Sequence, residues 1–130
     1  MSGKSILIIE DEKPLADAVK AKLESQSFNV LTARTVEQAL SYLGEMPVDG
    51  IWLDHYLLGK ENGLDFIAKI KQSGSEWENL PVFVVSNTAS EKNIQSYMRL
   101  GAKKYYVKAE HSLTEIINEI IDYLTNGEKE

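Results

Sequence analysis

The chain has 130 residues, of which 43% are hydrophobic and 26% are charged, a composition that is ordinary for one soluble globular domain. Its formal net charge of −6 argues against direct nucleic-acid binding, which needs a basic surface. The absence of cysteine excludes disulfide bonds and thiolate metal sites, and the two histidines, His55 and His111, lack the spacing of a zinc site. The first apolar run is too short for a signal peptide or a membrane span, so we expect a cytoplasmic protein without membrane contact.

Short apolar runs alternate five times with segments of helical periodicity. The predicted strands span residues 5–9, 28–32, 50–54, 81–85 and 104–107. The predicted helices span about residues 14–25, 35–44, 64–70, 88–100 and 112–124, and residues 126–130 form a polar tail. This alternation, without repeat or linker, predicts a single α/β domain with a parallel sheet that helices cover on both faces.

Helix start signals support several of these boundaries. Proline fits the first turn of a helix, so Pro14 marks the start of the first one. A capping box pairs Ser or Thr with Glu or Gln three residues later. Such pairs open the second, fourth and fifth helices: Thr35 with Gln38, Thr88 with Glu91, and Ser112 with Glu115.

Four of the five predicted strands end on residues that can carry chemistry. The first ends on Glu10 and Asp11, the third on Asp54, the fourth on Ser86 and the fifth on Lys108. Because parallel strands bring their carboxyl ends to one edge of the sheet, we expect these side chains to lie together. A lone aspartate after a strand is more often a polar stop or a helix cap, so the prediction of a site depends on the combination.

The combination of side chains indicates phosphoryl chemistry. Neighbouring carboxylates repel one another unless a cation or a proton compensates them, and a site with only oxygen ligands favours Mg²⁺, with Mn²⁺ as an alternative. A carboxylate can act as a nucleophile and form an aspartyl phosphate. The metal, Lys108 and the hydroxyl of Ser86 would then neutralise the transferring phosphoryl group.

Four stretches of the sequence resemble the receiver domains of two-component response regulators, and the likeness runs from about Ser5 to Leu124. They are Ile-Ile-Glu10-Asp11-Glu, Trp-Leu-Asp54, Val-Val-Ser86 and Gly101-Ala-Lys-Lys-Tyr-Tyr-Val-Lys108. The resemblance implies a flavodoxin-like, doubly wound, three-layer α/β/α sandwich with strand order 2-1-3-4-5. It implies a single receiver domain over residues 1–130 with its core at about 5–124, and it places Asp11 beside Asp54 in the crevice between strands one and three.

The resemblance also implies roles for individual residues. Asp54 would be the phosphoacceptor. Asp11, Asp54 and the backbone carbonyl of Tyr56 would bind Mg²⁺ directly, and Glu10 would act through water. Lys108 would pair first with the acceptor and then with the phosphoryl group.

Two further residues match the family's switch, and two match positions that tune its lifetime. The hydroxyl of Ser86 would follow the phosphoryl oxygen, and Tyr105 would be the aromatic residue that turns inward on activation. Tyr56 and Thr88 occupy the positions that tune dephosphorylation. A tyrosine at the mouth of the site would shield the acyl phosphate from water.

Three positions depart from the family's pattern. Ala109 replaces the proline that usually follows the lysine through a cis bond. A cis bond before alanine costs about 3 kcal/mol, so the loop either bears that strain or runs differently. Leu58 replaces the proline four residues after the acceptor. Asn87 replaces the small residue after Ser86, and its larger side chain would narrow access to Asp54, which makes it a third candidate for tuning.

We therefore expect a stand-alone receiver that takes a phosphoryl group from a sensor histidine kinase or a phosphotransfer protein. Beyond its own phosphorylation and autodephosphorylation it would not be an enzyme. Nothing but a short tail follows the last helix, so the signal would pass to a downstream protein partner or a second copy. The expected contact surface is the face of helix 4, strand 5 and helix 5, around residues 94–98 and Tyr106.

Two alternatives stay open. A receiver-like interaction module that is never phosphorylated would fit Asn87 and Ala109, whereas the acidic pair, the acceptor and the lysine argue against it. A flavodoxin-like ligand binder needs a phosphate-cradling glycine loop, but the turn after strand one is Glu10–Glu12, which repels phosphate in the absence of metal. A hydrolase would need a second acid to activate water.

Beside Asp54, His55 is expected to be a packed or solvent-facing residue rather than a titrating one.

Overall fold

A computed structural model describes residues 3–127, which form five strands and five helices in strict alternation. The strands are β1 (Ser5–Ile9), β2 (Asn29–Ala33), β3 (Gly50–Leu53), β4 (Val82–Ser86) and β5 (Lys104–Val107). The helices are α1 (Lys13–Ser25), α2 (Val36–Glu45), α3 (Gly63–Ile70), α4 (Glu91–Leu100) and α5 (Leu113–Asn126). Every predicted element is present. Of the predicted tail, Asn126 closes α5 and Gly127 caps it, and positions 128–130 lie outside the described residues.

The strands form one parallel sheet in the order β2-β1-β3-β4-β5, which confirms the predicted topology. After β2 is added on one side of β1, the chain adds β3, β4 and β5 on the other side. At such a topological switch point a crevice opens at the carboxyl ends of the neighbouring strands, here β1 and β3. The register pairs Ile9 with Leu53, so Glu10 and Asp54 leave the sheet at the same level. This register positions the candidate site.

The sheet separates two apolar clusters, so the described residues form the predicted three layers. Leu7 and Ile9 face α2, α3 and α4, whereas Ile6 and Ile8 face α1 and α5. Successive side chains of a strand point to opposite faces, and a strand that is covered on both faces must be apolar at every position. This is why the strands are continuous apolar runs in the sequence. No helix within residues 3–127 is long and apolar enough to cross a membrane.

The predicted capping residues are confirmed at α2 and α5 but not at α4. Of the capping box predicted at α2 only one bond forms, because Oε1 of Gln38 accepts from the N–H of Arg34 rather than from that of Thr35. Thr35 and Ser112 each accept a hydrogen bond from the third backbone N–H of their helix. The predicted capping box at Thr88 is wrong, because the Oγ of Ser90 accepts the hydrogen bond from the N–H of Asn93 and caps α4. β4 extends through residue 86, and residues 87–90 form a loop in which the Oγ1 of Thr88 accepts from the N–H of Ser90.

Candidate functional site

Lys108 lies among three carboxylates at the carboxyl edge of the sheet. Its Nζ is 3.5 Å from Oδ2 of Asp54, 3.4 Å from Oε1 of Glu10 and 3.4 Å from Oε1 of Glu12. The backbone N–H of Lys108 donates to the carbonyl of Ser86, which extends the pairing of β4 with β5 by one residue and directs the lysine over this edge. The structure thus brings Glu10, Asp54 and Lys108 together. It adds Glu12, a member of the acidic run after β1 to which the sequence assigned no role.

Asp54 is held at both of its carboxylate oxygens. Oδ1 accepts a hydrogen bond of 2.7 Å from the N–H of His55, and Oδ2 faces Lys108. The N–H of Asp54 donates to the carbonyl of Ile9, so the residue continues the ladder between β1 and β3. The carboxylate therefore has a fixed direction, toward the lysine.

Glu10 is the most deeply buried acid of the cluster, with 1% of its surface exposed. The indole N–H of Trp52 donates to its Oε1 over 3.4 Å. Burial, then the charge of Asp54 and a hydrogen bond with it, raise the pKa of Glu10 to about 7, against the lowering effect of Lys108. Burial next to a second carboxylate thus favours the protonated form of Glu10.

Burial lowers the pKa of Lys108, but the charges of Asp54, Glu10 and Glu12 raise it by more, so the pKa lies above its ordinary value of 10.5. The ammonium therefore stays charged at neutral pH. It is positioned to interact with any negative charge that is added to Asp54.

Asp11, a predicted metal ligand, is engaged by a residue that the sequence did not suggest. Its Oδ1 lies 3.2 Å from a terminal nitrogen of Arg34, which also donates to the carbonyl of Asp11. The register of β1 with β2 pairs Ile9 with Ala33, so the residues that follow these two strands meet. As arranged within residues 3–127, no three acidic or histidine side chains are grouped to hold a metal ion. The ligands that the sequence predicts nevertheless carry only oxygen donors, and oxygen donors are what Mg²⁺ prefers.

The predicted switch residues meet at the loop between β4 and α4. Ser86 is fully buried, and its Oγ accepts a hydrogen bond from the N–H of Thr88. The hydroxyl of Tyr105 donates to the carbonyl of Thr88 over 2.8 Å. Both residues thus hold the same loop residue, one through its N–H and the other through its carbonyl. Asn87, between Ser86 and Thr88 in the sequence, is exposed.

The loop between β3 and α3 forms the mouth of the site. Tyr56 is 62% exposed, and its ring lies edge-on to the ring of His55, with 4.7 Å between centroids. Leu58, in the position of the usual proline, donates its N–H to the carbonyl of Arg34. Residues 3–127 contain no cis peptide bond, so the bond before Ala109 is trans. The loop after Lys108 therefore runs differently from that of family members with a cis proline and does not bear the strain of a cis bond.

His55 is packed rather than solvent-facing. It is 6% exposed, and its Nδ1 lies 2.7 Å from the hydroxyl of Tyr97 on α4. Burial lowers the pKa of His55 by more than the charges of Asp54 and Asp65 raise it, which favours the neutral imidazole. The sequence contains no local signal for the tyrosine that this histidine contacts.

The expected partner surface is partly buried, since Tyr97, within residues 94–98, is 0% exposed. Met98 is exposed and Ile94 is half-buried, as a contact surface requires. Tyr106, however, is 1% exposed, because it faces α5 and donates its hydroxyl to Oε1 of Glu119. The prediction that Tyr106 contributes to the contact surface is therefore wrong.

Known proteins share both the sequence pattern and the fold. Residues 6–121 match the family described as response regulator receiver domain. Over 103 residues the chain is 33% identical to the transcriptional regulatory protein CpxR of Klebsiella pneumoniae, and over 109 residues it is 31% identical to the transcriptional regulatory protein YvrH of Bacillus subtilis. These matches cover 79% and 83% of this chain but 42% and 44% of the two relatives, so it spans less than half the length of either.

Among solved structures, the phosphorylated cyanobacterial phytochrome response regulator RcpA is 26% identical to this chain with a TM-score of 0.82. The superposition covers 97% of this chain and 96% of that one. Such agreement over nearly the whole chain confirms the flavodoxin-like α/β fold. Receiver domains in general are signalling modules rather than enzymes and act with histidine kinases and downstream effectors. The chain therefore belongs to the response regulator receiver domains, the family whose standard function is phosphorylation-based two-component signalling.

Proposed function

We propose that this receiver accepts a phosphoryl group on Asp54, stabilises it with a divalent cation and thereby changes a surface that a partner protein contacts. One observation carries the proposal: the carboxylate of Asp54 is fixed by the N–H of His55 at one oxygen and faces the charged Lys108 with the other. An oriented nucleophile next to a fixed positive charge is the arrangement that phosphoryl transfer requires.

In the transfer, a carboxylate oxygen of Asp54 attacks the phosphorus of a phosphohistidine on a kinase or phosphotransfer protein. The new O–P bond forms as the P–N bond breaks, and the electron pair of that bond stays on the donor's imidazole. Lys108 then follows the added charge from the carboxylate to a phosphoryl oxygen. Ser86 would bind the phosphoryl group once its Oγ no longer accepts the hydrogen bond from the N–H of Thr88. The loop between β4 and α4 would move with it, and with the loop the residue that Tyr105 contacts.

The cation would be Mg²⁺, with Mn²⁺ able to replace it. Asp11, Asp54 and the backbone carbonyl of Tyr56 would hold it directly, and Glu10 would act through water. When bound, the cation would supply positive charge to the acidic cluster and to the transferring phosphoryl group. The closeness of Glu10 to Asp54, whose charge contributes to the raised pKa of Glu10 after burial, supports this assignment, because a cation would offset the repulsion between the two acids.

The lifetime of the acyl phosphate would be set at the mouth of the site. Tyr56 is the most exposed of the large hydrophobic residues there, and we assign it the role of shielding the phosphoryl group from water. Thr88 and Asn87, in the neighbouring loop, would tune the same hydrolysis. The chain would carry out no catalysis beyond its own phosphorylation and dephosphorylation.

The output surface would be the face of α4, β5 and α5, in contact with a downstream protein or a second copy. Met98, which is 44% exposed on α4, supports this choice. Movement of the β4–α4 loop would reach this face directly, because the loop leads into α4. The kinase or phosphotransfer partner would instead approach the mouth of the site near Tyr56.

A second candidate function is an interaction module that is never phosphorylated. The contact of Arg34 with Asp11 favours it, because a guanidinium on a metal ligand opposes metal binding. Asn87 and Ala109 are compatible with it as well. The buried acids Glu10 and Asp54, together with Lys108, would then only stabilise the fold.

Intact-mass spectrometry distinguishes the two candidates. The protein is incubated with a small-molecule acyl phosphate and Mg²⁺, and parallel samples contain a chelator in place of the metal. The proposal predicts one phosphoryl adduct per chain that depends on the metal. If no adduct forms at any metal concentration, the unphosphorylated module replaces the proposal.

A further inference from the structure

A buried hydrogen bond next to the acceptor has no part in the mechanism above. It joins Nδ1 of His55 to the hydroxyl of Tyr97 over 2.7 Å, and the two residues are 6% and 0% exposed. Both polar atoms lie where no water replaces a lost partner, so breaking the bond leaves two unsatisfied groups. His55 and Tyr97 are therefore constrained to move together.

The packing around this bond leaves the tyrosine hydroxyl little freedom. Gly63, the first residue of α3, lies against it, and a Cβ at that position would overlap the hydroxyl and come within 2.7 Å of the carbonyl oxygen of Asp54. The N–H of Gly63 donates to the carbonyl of His55. The Tyr97 hydroxyl thus fits a slot that the residues next to the acceptor form.

One end of this arrangement reaches the acceptor carboxylate. The N–H of His55 donates to Oδ1 of Asp54 over 2.7 Å. When the carboxylate becomes an acyl phosphate, it loses its own negative charge, and a neutral carbonyl oxygen is a weaker acceptor than a carboxylate. The bond that holds the His55 backbone therefore changes on phosphorylation.

The other end reaches the switch tyrosine. The rings of Tyr97 and Tyr105 lie 5.7 Å apart between centroids, with their planes at 52°. Tyr105 in turn donates to the carbonyl of Thr88. A shift of Tyr97 would therefore change both the position of α4 and the packing of Tyr105.

We propose that His55 and Tyr97 are a positioning pair that couples the state of Asp54 to α4 and Tyr105. This route begins separately from the one through Ser86 and Thr88, and the two meet at Tyr105. It runs from the acceptor along its own chain neighbour into the core beneath α4. The inference rests on the proposed phosphorylation of Asp54 and specifies how that event reaches the output face.

The test measures backbone hydrogen exchange before and after treatment with a small-molecule acyl phosphate and Mg²⁺, and intact mass is recorded for each sample. Tyr97→Phe removes the hydroxyl and keeps the ring. We expect this variant to form the adduct as the wild type does. The phosphorylation-dependent change in exchange over residues 91–100 should fall by a factor of about 3 to 10, as the loss of one hydrogen bond implies. The change at residues 86–88 should remain.

Tyr106→Phe is the matched control. Tyr106 is equally buried and its hydroxyl also makes a 2.7 Å hydrogen bond, to Glu119 on the opposite face of the sheet. This substitution should leave the exchange response of α4 intact. A rescue series at position 55 adds a second readout: His55→Asn places a polar atom close to that of Nδ1 and should retain much of the response, whereas His55→Leu should lose it.

An α4 response that is the same in Tyr97→Phe as in the wild type overturns the inference. So does an equal loss in Tyr106→Phe, because the effect would then be general destabilisation. Absence of the adduct in the wild type is a different failure, visible in the mass spectrum: it removes the proposed function and the coupling with it.

Discussion

The guanidinium of Arg34 lies 3.2 Å from the carboxylate of Asp11 and so engages a side chain that the proposed metal site would use. The contact follows from the register of β1 and β2, which brings the residues after the two strands together. The two side chains are 52% and 36% exposed, and an exposed ion pair contributes little to stability. Its effect should therefore appear in metal binding rather than in folding.

Replacement of the arginine should strengthen metal binding. In Arg34→Gln, Asp11 no longer has to release the guanidinium before it binds Mg²⁺. The variant should therefore bind Mg²⁺ roughly 2- to 5-fold more tightly, which is the factor that the energy of an exposed ion pair corresponds to. Fluorescence of Trp52, whose indole contacts Glu10, provides the titration signal in a Trp77→Phe background. Arg99→Gln, on α4, is the control. An affinity that is unchanged or weaker would show that Arg34 does not compete with the metal.

Removal of the lysine charge should slow phosphorylation without preventing metal binding. Lys108→Met retains the length of the side chain but loses the ammonium that faces Asp54. We expect the rate of adduct formation to fall about 100-fold, as for the loss of one preorganised electrostatic group. Lys104→Met, at the other end of β5, tests for a nonspecific charge effect. Equal rates for Lys108→Met and the wild type would contradict the role assigned to Lys108.

The tyrosine at the mouth should lengthen the life of the acyl phosphate. Tyr56→Asn removes the ring that lies over His55, so water should reach the phosphoryl group more easily and the half-life should shorten. Tyr56→Phe keeps the ring and should keep the half-life. The decay of the adduct by intact mass after removal of the phosphoryl donor gives both values. A half-life in Tyr56→Asn equal to or longer than in the wild type would exclude shielding.

The close packing at Gly63 should make a substitution at this position lower the stability of the protein. Gly63→Ala forces a methyl group against the Tyr97 hydroxyl and the Asp54 carbonyl, so the free energy of unfolding should fall by about 1–3 kcal/mol. At Gly44, in α2, an added Cβ meets no atom within 4 Å, and Gly44→Ala should instead stabilise by about 0.4–1 kcal/mol. Urea denaturation compares the two. A Gly63→Ala protein as stable as the wild type would show that the slot is not tight.

The strands and the position of Asp54 could be predicted because continuous apolar runs identify strands buried on both faces, whereas the order of the strands followed from the resemblance to receiver domains. The run before Asp54 and the run before Glu10 then place the two acids at one edge. The partners of His55 and Asp11 could not be predicted in this way. Tyr97 is 42 positions from His55, and no periodicity indicates which residue of a distant element a side chain contacts.

Two errors have a similar origin. In β5 adjacent tyrosines lie on opposite faces, and the sequence does not indicate that α5 covers Tyr106 while Tyr105 faces the β4–α4 loop. Near α4 both Thr88 and Ser90 are able to cap a helix. The outcome depended on where β4 ends, which is decided by its pairing with β5.

If Asp54 itself takes the phosphoryl group, as proposed, the adduct must lie at this residue, and its position can be determined directly. After reaction with acyl phosphate and Mg²⁺, borohydride reduces an aspartyl phosphate to homoserine, which peptide mass mapping assigns to a position. We predict homoserine at position 54 alone, and no adduct in a folded Asp54→Asn variant, with Asp49→Asn labelled like the wild type. Homoserine in place of another acidic residue, or an adduct that survives in Asp54→Asn, would rule out Asp54 as the sole phosphoacceptor.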